Sequence, residues 1–121
     1  MKYLHYLIAC QEQDLEAMKT ILASDAKLTI ISEDGSEFKG DYHHLIHSLG
    51  DYFSTECVWD FDVLHRAERR HEELVVIKAT RENVTTQKSG AYLWLLTFDT
   101  NKIDHYLKRV YVEVINPLKA E

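Results

Sequence analysis

The order of hydrophobic patterns along these 121 residues limits the possible folds more than any single motif. Leu4, Leu7 and Ile8 recur at helical spacing, and Leu15, Met18, Ile21 and Leu22 resume that spacing after the polar break Gln11-Glu12-Gln13. Asp14 is placed to cap the second helix, which the change of period ends near Ser24-Asp25. Leu28 to Ile31 then reads as a strand, Glu33-Asp34-Gly35-Ser36 as a turn, and Glu37-Phe38-Lys39 as the returning strand. Gly40-Asp41 opens a third helix whose apolar face is Tyr42, Leu45, Ile46, Leu49 and Phe53. Four long runs of strand character complete the chain. Two helices, a hairpin, a helix and four strands predict an α+β fold in which a curved, mixed or mainly antiparallel sheet wraps around about three N-terminal helices. This cone-shaped α+β roll is expected to enclose one pocket.

Strand periodicity assigns the side chains to faces. Trp59, Phe61, Val63 and His65 share the expected inner face with Val75, Ile77 and Ala79, with Tyr92, Trp94, Leu96 and Phe98, and with Tyr106, Lys108, Val110, Val112 and Val114. The opposite face also carries apolar residues, although a solvated face should be cleanly polar. Leu64, Val76, Leu93, Leu95, Leu107 and Tyr111 form that second patch, and exposed patches of this kind mark interfaces. A homodimer through the outer face is the expected assembly. A β-bulge in these long strands reverses the faces beyond it, exchanging Tyr106 with His105 or Lys108 with Arg109.

Composition narrows the partners. Hydrophobic residues make up 45% of the chain, enough to bury a core, and a single proline near the end leaves no linker, so residues 1–121 are expected to form one domain. A net charge of −6 argues against nucleic acid as a partner, and Arg66, Arg69 and Arg70 are interleaved with Glu68, Glu72 and Glu73. No run is long enough to cross a bilayer, and MKYLHYLIACQEQD turns polar too early for a signal peptide. Cys10 and Cys57 have no metal-binding spacing and read as reduced, half-buried thiols of a cytoplasmic protein.

DLEAMKTILASDAKLTI, DGSEFKG, DYHHLIHSLGDYF and YLWLLTFDTNKIDHYLKRVYVEV, with anchors Asp25-Ala26, Phe38-Lys39-Gly40, Phe98-Asp99 and Ile103, resemble the nuclear transport factor 2-like superfamily, especially its SnoaL-like bacterial members. The resemblance covers nearly the whole chain and implies the cone-shaped, cystatin-like α+β roll. It leaves open isomerase, cyclase, dehydratase, hydrolase, binding and assembly roles. Steroid-isomerase chemistry requires a carboxylate base and an oxyanion hole made by a tyrosine and a protonated aspartate. By this resemblance Tyr6 falls on the oxyanion tyrosine, whereas Ile30 takes the place of the base and Trp94 that of the second acid. That mechanism is therefore not expected, nor is the aspartate–arginine–aspartate set of the epoxide hydrolases.

The expected pocket is lined by Tyr6, Ile30, Trp59, Arg81, Tyr92 and Trp94, with His65, Tyr106 and Lys108 as candidate acid–base groups. An aromatic cavity with cations near its mouth suits a flat apolar ligand bearing a carboxylate or enolate, with no cofactor. Three roles follow: a small-molecule-binding domain, a SnoaL-like proton-transfer enzyme, or an assembly module whose pocket is filled. His43 and His47 are spaced i, i+4, but they sit off the apolar face of their helix and are read as solvated, so no metal site is expected. Asp60 and Asp62 share the outer side of their strand.

Overall fold

The structure, a computed structural model, describes residues 1–115. Its elements run α1 (Lys2–Glu12), α2 (Leu15–Ile21), β1 (Leu22–Ile31), β2 (Glu37–Gly40), α3 (Tyr42–Phe53), β3 (Cys57–Arg69), β4 (Glu72–Asn83), β5 (Ser89–Asp99) and β6 (Leu107–Ile115). The strands form one mixed sheet in the order β2-β1-β6-β5-β4-β3, antiparallel except where β1 meets β6. The sheet is curved and does not close.

Local chemistry explains the boundaries. Gln13 takes a left-handed conformation, with φ 52°, that ends α1. The carboxylate of Asp14 then accepts the Ala17 N–H at 3.0 Å and starts α2. The helix ends at Ile21 rather than near Ser24, because Leu22 already pairs with Leu107 and the tertiary ladder outweighs helical spacing. Gly35, with φ 84°, turns the β1–β2 hairpin, and the Asp34 side chain accepts the Ser36 N–H at 2.9 Å. Asp41 caps α3 and forms a capping box with His44.

Two β-bulges revise the alternation read from the sequence. In β3 the pairing shifts between Val63 and His65, so Val63 lies opposite the buried Ile77 whereas His65 lies opposite Val76 on the outer face. Between β5 and β6, Phe98 pairs with Leu107 and Thr97 with Arg109, leaving Lys108 as the extra residue. Leu107 consequently points into the core with no exposed surface and leaves the outer patch. The core between helices and sheet holds Met18, Leu22, Val75, Ile77, Leu96 and Phe98, all fully buried. Cys10 and Cys57 are free thiols and more deeply buried than the half-burial expected.

Candidate functional site

Inward-facing side chains of β1, β3, β5 and β6, together with one face each of α1 and α3, converge inside the cone. A cavity there is lined by Tyr6 and Cys10 from α1, Leu45, Ser48, Leu49 and Tyr52 from α3, and Trp59, Tyr92 and Trp94 from the sheet. Leu28, Ile30, Val110 and Val112 complete its wall. Five of the six residues proposed from the sequence as ligand-binding, Tyr6, Ile30, Trp59, Tyr92 and Trp94, therefore share one wall. Arg81, the sixth, lies over the rings of Tyr52 and Trp59, with its guanidinium 4.4 Å and 5.8 Å from their centroids. It is a cation held by aromatic faces beside the cavity rather than part of its lining.

The aromatic rings pack against one another. Tyr6 meets Trp94 edge to face at 5.7 Å, Trp59 stacks on Phe61 at 5.8 Å, and Trp59 and Trp94 lie 5.6 Å apart. They fill most of the cone: about 40 Å³ remains open to the centre of a water molecule. That is room for roughly three waters, well below the 300–1,000 Å³ of clefts that enclose drug-sized ligands.

Chemically, the wall offers donors and no charge. Burial pushes the Tyr6 phenol well above its ordinary value, with the neighbouring Cys10 adding to the shift. Burial also raises the Cys10 thiol, and it carries Tyr52 up to about 12. Each of these groups keeps its proton at neutral pH. Among the described residues, Trp59 Nε1 is the one buried side-chain nitrogen or oxygen without a hydrogen-bond partner. An unmatched buried N–H costs about 1–3 kcal/mol, so the wall carries a donor that lacks an acceptor.

The three acid–base candidates lie in different places. His65 is exposed on the outer face because the β3 bulge reverses its side. Tyr106 is buried in the core away from that cavity, against α1, where its hydroxyl lies 3.3 Å from His5 Nδ1 and Lys2 sits over its ring at 4.9 Å. Lys108, displaced by the second bulge, donates to Glu72 at 2.6 Å. Sequence reasoning missed Cys10 and Tyr52. Both were within reach of helical periodicity, since Cys10 lies four residues after Tyr6, and Tyr52 three after Leu49.

His43 and His47 are exposed, and no group of three metal-ligating side chains occurs among the described residues. No described helix is long and apolar enough to cross a membrane.

No protein-family model and no curated protein sequence matches the chain. Solved structures do. A ketosteroid isomerase-like protein from Erwinia carotovora atroseptica superposes with a TM-score of 0.66 at 15% identity, covering 96% of this chain and 92% of that one. A putative calcium/calmodulin-dependent protein kinase type II association domain from Thiobacillus denitrificans gives 0.71 at 9%, covering 95% and 93%. A putative SnoaL-like polyketide cyclase from Shewanella denitrificans gives 0.64 at 14%, covering 94% and 88%. The chain therefore has the nuclear transport factor 2-like fold, as the resemblance in its sequence implied.

Proposed function

We propose that the chain is a small-molecule-binding domain whose cone accepts a compact apolar ligand bearing a carbonyl or similar acceptor. The observation that carries this proposal is the unpartnered Trp59 N–H in an apolar, aromatic wall. A ligand acceptor would satisfy that donor while Tyr6, Tyr92 and Trp94 enclose the ligand's apolar body. Binding is favoured over proton-transfer catalysis because the lining includes no carboxylate, histidine or lysine, and its shifted phenols and thiol stay protonated. Ligands of more than a few heavy atoms require α3 to move outward. Along that helix Leu45 and Leu49 are buried, and Tyr42, Ile46, Tyr52 and Phe53 pack partly buried against the core, so those contacts are what an outward movement would loosen.

The test uses the indole N–H resonances of the two tryptophans, assigned with Trp59→Phe. Cyclohexanone should move the Trp59 signal downfield and saturably, while methylenecyclohexane, of the same shape without the acceptor, should not. If neither compound moves an indole signal, or both move Trp59 alike, the acceptor-binding cone is refuted.

The outer face favours self-association as a second role. Val76 and Leu93 remain partly exposed there, and Leu64 is 52% exposed at the edge of the sheet, whereas Leu95 and Tyr111, also partly exposed, line a separate groove. Leu93→Lys should convert a dimer to a monomer in sedimentation. A wild-type chain that sediments as a monomer at high concentration would exclude this interface.

A further inference from the structure

The outer face holds a second constellation that the cone does not use. Lys27, Arg69 and Arg109, with the hydroxyl-bearing Thr29, Thr97 and Tyr111, line a groove of about 280 Å³. Leu74 and Leu95 supply its apolar wall. Strand register assembles it: Leu74, Thr97, Arg109 and Lys27 lie side by side across β4, β5, β6 and β1.

The charge here runs against that of the molecule. The chain carries −6 overall, yet Lys27 and Arg109 are direct cross-strand neighbours, a like-charge pairing that destabilises a sheet. Glu72 accepts from Arg69 at 2.6 Å, Lys108 at 2.6 Å and Arg109 at 2.8 Å. Its cross-strand neighbour Asp99 is the second carboxylate at this end, and it accepts the Asn101 N–H at 2.9 Å. Four cations, Lys27, Arg69, Lys108 and Arg109, thus face three carboxylates, Glu72, Asp99 and Glu113, the last beside the Tyr111 hydroxyl, while Glu37 is paired with Lys39; one positive charge remains in excess. Arg66 adds nothing to that excess, being paired with Glu73 at 2.7 Å. Arg69 reaches Glu72 through Nε and Arg109 through one terminal nitrogen, so both guanidinium groups keep further N–H donors.

We propose that this groove binds a small phosphate monoester dianion. The phosphoryl oxygens take the remaining guanidinium donors and the Lys27 ammonium, and the organic body rests on Leu74 and Leu95. Two guanidinium groups with neighbouring hydroxyls match the geometry and charge of a phosphoryl group. The volume is that of a small molecule rather than an extended chain.

The test is calorimetric titration of the full chain with phenyl phosphate, phenol and inorganic phosphate at matched ionic strength. Phenyl phosphate should bind saturably with a Kd below about 1 mM, inorganic phosphate more weakly, and phenol not at all. Lys27→Gln, which leaves the Glu72 cluster intact, should weaken phenyl phosphate about fivefold to tenfold, and Arg109→Gln should weaken it more. Trp59→Phe should leave binding unchanged; if it abolishes binding, the compound sits in the cone and the proposal fails. It also fails if matched sodium chloride reproduces the heat, or if both groove variants bind as well as wild type. A fourth refuting result is that phenyl phosphate does not bind while Arg109→Gln makes a dimer monomeric, which would assign the groove to an acidic side chain of a second copy.

Discussion

Trp59 is the residue on which the cone's chemistry turns. Its ring is held by Phe61, Trp94 and Tyr52, while its N–H is left without a partner. Trp59→Phe removes that orphan donor and keeps a packing ring, so the recovered desolvation, about 1–3 kcal/mol, offsets much of the lost contact. Thermal unfolding should show a shift of less than about 1 kcal/mol, whereas an indole already paired in solution would make the substitution clearly destabilising. Glu72 governs the response to acid. Hydrogen bonds from Lys108 and Arg69, with Arg109 nearby, lower its carboxyl from 4.5 to about 2. A group whose folded pKa is depressed stabilises the fold above its unfolded pKa and loses that contribution as pH falls toward the folded value. Stability should therefore decline between about pH 5 and pH 2, and Glu72→Gln should flatten that part of the profile. An unchanged slope in denaturant titrations of the variant would show that the cluster is loose in solution. Alternation in the sequence made Trp59, Tyr92 and Trp94 legible as one wall. The missing hydrogen bond of Trp59 was not legible, since it depends on what the rest of the cone fails to offer.

At the scale of elements, the caps were readable and the bulges were not. Asp14 and Asp41 announce helix starts by side-chain chemistry alone, and both accept backbone N–H groups where expected. Asp14→Ala should lower stability by about 1 kcal/mol in chemical denaturation, and no loss at all would mean that packing alone positions α2. The extra residues at the two bulges, Leu64 and Lys108, carry no marker such as glycine, and period-two reasoning passes through them unaware. That single physical fact moved His65 outward, took Leu107 into the core and gave Lys108 to Glu72. The candidate acid–base set dispersed because each member lay at or beyond a shift in register.

For the whole molecule, the order of helices and strands was enough to specify the cone, because a curved sheet around the helices buries the apolar face of each helix against the inner face of the sheet. How full that cone is could not be read from the pattern, since residues that line a pocket and residues that fill a core have the same periodicity. The two faces of the sheet now divide the chemistry, with neutral donors and aromatic rings inside and a cation-lined groove outside. The most direct test of the inner face is a crystal structure of the protein grown with cyclohexanone. The account predicts the ketone inside the cone with its oxygen about 3 Å from Trp59 Nε1 and its ring against Trp94 and Tyr6. A cone without the ketone, with the Trp59 N–H donating to a protein carbonyl, would contradict it.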